Sequence, residues 1–517
     1  MLNWAWPTAG FIYLIFTAFL PLLFVERQIA NGNAKRKTLA VFGYSYMAFA
    51  TFNLTTTAWV KNAHISGPLA TTFINGALMA LVFTAYHLIA KKVGFKRALL
   101  AMPFLWISLE VFHQDWDMSF PWLDLGNALA MRTEWIQWYE FTGHMGGSLW
   151  IWIINLLLFH TLLTIAKGTK TIVINLVLVA VIFAGPVIYS NSLYHAYAEI
   201  GDPVDIVVVQ PNIEAFTEKY TMSEMEQTQK FLRLAATKID SNVDLLVGPE
   251  TLLGYGFEEM YAENNQSVFL FKEFVQHYAK LNFAFGATTY KVFDEENKTP
   301  ISLPFRNSNK WYEIYNTSFV LNANGLSAPY HKSKLVVAAE EMPFRWILQP
   351  LLGKIVVDLG GMTGSHGTQK ERTVFTTTNS NIKVATIICW ENEFGDYCTE
   401  FARNGANIFL NITNDGWWGD SDGHRQHMHY ARIRAIENRR SIARSANTGI
   451  SCFINQRGDV SQSQPWAKDA VIRETLHANN TLTFYSKNGD FIGRIAVFIS
   501  IILLLAAFVQ GFLRSRQ

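Results

Sequence analysis

Long uncharged apolar runs separated by short basic connections fill the chain up to about Ser190, after which the pattern changes character. The runs are Thr8–Val25, Leu39–Val60, Pro68–Ala90, Ala98–Phe112, Ser148–Ala166, Thr171–Ser190 and, near the other end, Ile495–Leu513. Most approach the roughly 20 residues that a helix needs to cross a bilayer core. A cleaved signal peptide does not account for seven such runs. The pattern therefore predicts a transmembrane helical bundle of about six spans over residues 1–190, a globular domain over 203–488 and a C-terminal transmembrane helix over 491–513.

Within the globular stretch, short apolar runs alternate with amphipathic ones. Strands are predicted at Asp205–Val209, Asp244–Val247, Phe283–Thr288, Ile314–Leu321, Lys383–Ile388 and Asn407–Ile412. Ser223-Glu224-Met225-Glu226 reads as a capping box opening a helix to about Ile239, a second helix runs from about Ser267 to Leu281, and a third carries His427. Asn455-Gln456-Arg457-Gly458 marks a hairpin. Strands this apolar are covered on both faces, so an α/β layered domain follows.

Charge adds orientation. Arg27, Lys35, Arg36 and Lys37; Lys91, Lys92, Lys96 and Arg97; Lys167 and Lys170; and Arg514 and Arg516 fall in alternate connections, while the intervening loops carry little more than Lys61 and Arg132. By the positive-inside rule the basic connections are cytoplasmic, which puts the N-terminus and the globular domain outside the cytoplasm, with an odd number of spans. The spans carry almost no internal charge, which, of a transporter or scaffold reading, counts against transport; Glu110, near the outer end of its segment, is open to either a bundle-paired or a functional role. The net charge of +2 and the lack of a basic tract in the globular domain argue against a nucleic-acid partner. Three cysteines, Cys389, Cys398 and Cys452, form no disulfide framework, although Cys398 and Cys452 could pair outside the cytoplasm. His424, His427 and His429 lie on an amphipathic helix whose spacing suits packing and capping, and no metal or other cofactor is assigned.

The candidate chemistry sits at strand ends. Val384-Ala385-Thr386-Ile387-Ile388 delivers Cys389 onto a turn, as a buried strand delivers a nucleophile to a sheet edge. Leu245-Leu246-Val247-Gly248-Pro249-Glu250 and Tyr330-His331-Lys332 place a carboxylate and an amine in the same way. Glu250, Lys332 and Cys389 thus form a candidate catalytic set. Glu250 would be the general base for the thiol, and Lys332 would face the oxyanion of a tetrahedral intermediate.

These motifs resemble those of the carbon–nitrogen hydrolase (nitrilase) superfamily, together with Cys389-Trp390-Glu391 and Asn414-Asp415-Gly416-Trp417-Trp418-Gly419. Phe120-Pro121-Trp122-Leu123, Thr142-Gly143 with Gly146-Gly147-Ser148, Gln210-Pro211-Asn212, and Gln426-His427 with Ala431-Arg432 and Arg434-Ala435 resemble its membrane-integrated branch, the apolipoprotein N-acyltransferase family of bacterial inner membranes. The resemblance implies a nitrilase-like α-β-β-α sandwich inserted into a polytopic helical bundle, with the catalytic domain in the periplasm. It implies acyl transfer through a Cys389 thioester, from a phospholipid donor in the lipid bilayer to the amine of a diacylglyceryl apolipoprotein acceptor.

By the same resemblance Glu340 and Glu391 are supporting residues, either of which could orient Lys332. Tyr220, Asn316, Trp390 and Trp418 are candidates for lining the acyl and headgroup site. Lys334 stands where the family commonly has His, and Lys334-Leu335-Val336-Val337-Ala338-Ala339-Glu340 lacks the Pro and Gly of the family's gating loop. The family usually has eight spans, so this chain is expected to start near the second, through a short start or a truncated reading frame. The competing expectation is a membrane-tethered amidase or nitrilase using the same three residues. Bundled spans beside an external site favour a lipid substrate over it, since a hydrolase of soluble amides needs only one anchor.

Overall fold

The computed structural model describes residues 1–63, 67–305, 308–347 and 365–515. The chain forms two compact units. Unit one comprises Met1–Tyr197, Ser421–Ile433 and Asn488–Gln517, and unit two comprises Ala198–Asp420 and Arg434–Lys487.

All seven predicted spans are helical in unit one. Among the described residues, five helices are long and apolar enough to cross a membrane: Ile12–Asn31, Gly67–Val93, His144–Leu163, Thr169–Ala196 and Phe491–Leu513. Lys37–Thr56 and Phe95–Phe112, of 20 and 18 residues, are more polar because they bury Ser45, Asn53 and Thr56, and Glu110. Val173, Ile174, Leu176, Val177, Val181 and Ile188 on Thr169–Ala196 are exposed. An apolar surface of this extent is unfavourable in water and suits a hydrocarbon surround.

The bundle interior is more ionisable than its sequence suggests. Glu26 and His87, both buried, meet at 2.6 Å. Buried Glu110 accepts hydrogen bonds from Trp106 Nε1 (3.1 Å) and the Leu125 N–H (2.8 Å), and His144 Nε2 lies 3.1 Å from Asp124 Oδ2. Of these ionisable residues only His87 and Glu110 fall within the predicted spans, and each has a hydrogen-bond partner inside the bundle. The Gly146-Gly147-Ser148 motif serves packing. A Cβ on Gly147 would lie 1.8 Å from Tyr139 Oη, and Ser148 Oγ accepts from the Gly126 N–H at 2.9 Å.

Residues 421–433, expected within the globular domain, pack in unit one instead. Trp122 Nε1 donates to Gln426 Oε1 (2.8 Å), Trp6 Nε1 donates to Tyr430 Oη (2.9 Å), and Gly423 leaves room for the Trp59 ring. The Phe120-Pro121-Trp122-Leu123 motif supplies one of these anchors.

Unit two is an α-β-β-α sandwich. Among the described residues the first sheet runs in the order Ala470–Ala478, Asp202–Gln210, Leu245–Val247, Asn282–Asp294, Lys310–Asn322, Leu303–Pro304. The second runs Val460–Ser461, Cys452–Ile454, Ser441–Ala446, Ile408–Thr413, Lys383–Ile388, Phe375–Thr376. Parallel pairing at the centre of each sheet leaves the central strands buried on both faces. Glu224–Ala235 and Gln266–Gln276 cover the outer face of the first sheet through Phe231 and Phe271, which pack on Phe283. Ser318 Oγ meets Thr386 Oγ1 at 2.5 Å and Ser445 Oγ donates to the Val209 carbonyl at 2.8 Å, joining the two sheets. The capping box forms as predicted on Ser223 and Glu226, but its helix ends at Ala235. All three cysteines are free and buried, with Cys398 on the helix Gly395–Arg403 and Cys452 on a strand, so the Cys398–Cys452 bridge is absent.

Candidate active site

Three strand ends of unit two converge. Leu245–Val247 leads into Gly248-Pro249-Glu250, where Thr251 takes φ +46° and turns the chain sharply. The neighbouring strand must come very close at this turn. A Cβ on Gly286 would lie 2.6 Å from the Thr251 N and 2.7 Å from the Glu250 Cα, so only glycine fits. Tyr330–His331 pairs with Lys310–Asn322, and the Lys332 N–H bonds the Asn316 carbonyl at 2.8 Å. Lys383–Ile388 ends at Cys389, whose φ of +47° is rare for a residue with a side chain and puts the thiol on a strained elbow.

The structure brings Glu250, Lys332 and Cys389 together. Lys332 Nζ lies 3.0 Å from Glu250 Oε1 and 2.9 Å from Glu340 Oε2, and its side chain is 1% exposed. Asn316 Nδ2 bridges the two carboxylates, donating to Glu250 Oε1 at 2.7 Å and Glu340 Oε1 at 2.9 Å. The second oxygen of Glu250 accepts from the Asn414 N–H at 3.0 Å. Burial is the strongest influence on the Lys332 ammonium and pushes its pKa down. Glu250, Glu340 and Cys389 outweigh it and hold the group well above the ordinary lysine range. Burial likewise pushes Glu340 up, yet Lys332 and His366 bring it below its usual value.

The Cys389 thiol is buried among these groups. Burial raises its pKa well above the ordinary value, Glu250 and Asp415 raise it further, and Lys332 and the Thr413 hydroxyl oppose them. This environment favours the protonated thiol over the thiolate. A nucleophile then arises only as its proton leaves for a nearby base, and Glu250 is a carboxylate within its electrostatic reach.

The two supporting glutamates separate. Glu340 touches Lys332 and closes its own turn by accepting from the Val336 N–H at 2.9 Å. Glu391 works elsewhere: its Oε1 accepts from Tyr330 Oη (2.5 Å), Tyr397 Oη (2.6 Å) and the Ser333 N–H (2.8 Å), and its Oε2 from the Ile388 N–H (2.8 Å). It ties the backbone just past Lys332 to the backbone just before Cys389. Burial, partly offset by the two tyrosine hydroxyls and the backbone donors, holds its pKa above the usual value.

Asn316 belongs to the carboxylate cluster. Trp390, on the turn after the thiol, and Trp418, on the turn Asp415–Trp418, are buried at 4% and 7% exposure. Tyr220 falls in the short helix Glu218–Thr221, and its side chain lies outside the described residues, as does Arg516 among the basic residues. Sequence reasoning missed the Asn414 N–H, His366 and the buried pair Arg444 Nη2–Asp415 Oδ2 at 2.8 Å. Asn414 stood in a quoted motif but without a role, and His366 follows no motif.

Residues 206–481 match the carbon-nitrogen hydrolase family model, and residues 1–157 match the apolipoprotein N-acyltransferase N-terminal domain. An apolipoprotein N-acyltransferase of Chlorobaculum tepidum is 28% identical over 98% of this chain and 93% of its own length. One from Geobacter metallireducens is 27% identical over 76% of this chain and 71% of its own. The crystal structure of Saccharomyces cerevisiae Nit3, a member of branch 10 of the nitrilase superfamily, aligns at a TM-score of 0.38 and 16% identity, covering 55% of this chain and 93% of that one.

Proposed function

We propose, for a chain that belongs to the carbon–nitrogen hydrolase family, that Cys389 carries a fatty acyl chain from a phospholipid to the α-amine of an S-diacylglyceryl cysteine on an apolipoprotein. The observation that carries this reading is the buried Lys332–Glu250 pair beside the Cys389 thiol, in a chain whose described residues include five helices long and apolar enough to cross a membrane. Lipid-embedded substrates need such an anchor.

Cys389 Sγ attacks the ester carbonyl of the donor as its proton passes to Glu250. The oxyanion forms beside the Lys332 ammonium, where loss of one such donor costs about 3–4 kcal/mol. The C–O bond then breaks, Glu250 returns the proton to the leaving alkoxide, and a thioester remains. The acceptor amine attacks that thioester and gives a proton to Glu250, the C–S bond breaks, and the thiolate recovers the proton. Glu340 keeps Lys332 charged throughout, while Glu391 holds the elbow.

The basic connections support an orientation. Arg27 stacks on the Phe95 ring at 4.1 Å, and Gly511 packs against Lys92, so the first and second basic segments share one end of the bundle with the C-terminal part of the last helix. The positive-inside rule makes that end cytoplasmic. Thr169–Ala196, which starts among the basic residues, then exits on the periplasmic side of a bacterial inner membrane, ahead of the catalytic domain.

The test offers the enzyme phospholipid with a diacylglyceryl lipopeptide whose amine is free or acetylated. The free amine gains one acyl chain and the blocked peptide is left unchanged. Equal release of free fatty acid with either peptide contradicts the transfer.

A further inference from the structure

Lys219 is a buried lysine that the mechanism above does not use. It is 8% exposed, and Nζ donates to Thr251 Oγ1 at 2.6 Å and to the Thr251 carbonyl at 2.9 Å. Its own backbone is tethered on both sides: its N–H bonds the Glu214 carbonyl at 3.0 Å, and its carbonyl accepts from Gln227 Nε2 at 3.0 Å. Gly254 gives its stem room, since a Cβ there would lie 2.8 Å from Lys219 Cε. The residue is built into the site rather than folded over it.

Both hydrogen-bond partners are neutral, which makes this a costly way to bury an ammonium. Thr251 could be held as well by a neutral donor. The charge has meaning when the whole cluster is counted. Glu250 and Glu340 carry two negative charges against the single ammonium of Lys332, Asp415 is matched by Arg444, and the surroundings of Cys389 favour its protonated thiol. Lys332 thus faces two carboxylates alone, and Lys219 stands within Coulomb reach of one of them, Glu250.

We infer that Lys219 is a positioning residue for Glu250: it pins the left-handed Thr251 that fixes the Glu250 backbone, and it sets a second cation beside the Lys332–Glu250 pair. The groups facing Glu250 are Lys332, Glu340, Cys389 and His366, together with Lys219. Burial brings the Lys219 pKa down to about 8, and Glu250 acts to raise it, as a cation held for the sake of that carboxylate requires.

This inference rests on the proposed reaction, and the full-length protein tests both separately. Appearance of an acyl adduct on wild-type Cys389 with phospholipid tests the reaction. The rates of adduct formation in Lys219→Met and Lys219→Arg, from pH 5 to 9 with thermal unfolding as a folding control, test Lys219. The methionine variant is expected to acylate roughly 10- to 100-fold more slowly, with its acid limb moved up by about one pH unit or more, as removal of a nearby opposite charge from a carboxyl would do. The arginine variant keeps the wild-type limb. If Lys219→Met does not fold, Lys219→Gln, which keeps a donor for Thr251 without the charge, shows the same shift. The pH dependence of Cys389 alkylation by iodoacetamide reads the same limb without any lipid. A wild-type rate in the methionine variant overturns the inference. So does equal slowing of both variants with the acid limb unmoved.

Discussion

Lys332 Nζ stands 3.0 Å from Glu250 Oε1, with both side chains shut off from solvent. One ammonium thus serves two carboxylates, because Glu340 takes its other face. Replacing Glu250 by Gln keeps an acceptor for Asn316 and leaves Lys332 paired with Glu340. The fold is expected to survive with a modest fall in melting temperature, while acylation of Cys389 drops about 10²- to 10⁴-fold, the usual worth of a general base. Time-resolved intact mass against thermal unfolding separates the two effects.

Glu391 and Glu340 should fail in different ways. Glu391→Ala strands four donors, from Tyr330, Tyr397, Ser333 and Ile388, and releases the elbow that holds Cys389 at positive φ. A loss of about 3–5 kcal/mol is expected, seen as a large fall in melting temperature. Glu340→Gln keeps the fold nearly intact but removes half of the charge facing Lys332. The alkaline limb of its rate profile moves to lower pH, as a less strongly held ammonium demands.

The same pairing fixes the stability profile. Lys332 is raised in the folded protein, so its contribution is complete below the ordinary lysine value of 10.5 and is lost only as pH climbs through a still higher folded value. Glu340 is lowered, so its contribution is present above 4.5 and is lost as pH falls through its lower folded value. The difference in melting temperature between wild type and Glu340→Gln should be flat from about pH 6 to 9 and shrink in acid. A difference that grows in acid would contradict the assignment.

Arg444 and Asp415 form a fully buried ion pair one layer behind the thiol. Arg444→Met takes the buried cation away from Asp415, at a cost of about 3–5 kcal/mol, whereas Arg444→Met with Asp415→Asn restores much of it. Thermal unfolding of the two variants measures the recovery. The single variant should also slow Cys389 alkylation, because an Asp415 charge no longer offset by Arg444 holds the thiol proton more tightly.

The candidate site was legible because Glu250 and Cys389 each follow an apolar strand and Lys332 follows Tyr330-His331 at a loop edge, and short strands with glycine, proline or aromatic ends read clearly in one dimension. The task of Glu391 was not. Its direction depends on the positive φ two residues earlier, which turns it from Lys332 toward Ile388 and Ser333. The long strands Asn282–Asp294 and Lys310–Asn322 outran the predicted Phe283–Thr288 and Ile314–Leu321 because their polar ends pair across the ladder, as Lys310 does with Asp294 at 2.6 Å. Ser441–Ala446 escaped notice because a central strand that buries Arg444 does not look apolar until Asp415 is seen beside it. The Glu26–His87 contact was hidden for a related reason: the two residues lie 61 positions apart and meet only once the helices pack.

The most direct test of the account incubates the purified protein with phospholipid and weighs it intact. One fatty acyl group should appear on Cys389, be discharged by hydroxylamine or by a diacylglyceryl lipopeptide with a free amine, and be absent from Cys389→Ser. A wild-type protein that gains no acyl mass from any phospholipid, or gains it equally in Cys389→Ser, would contradict it.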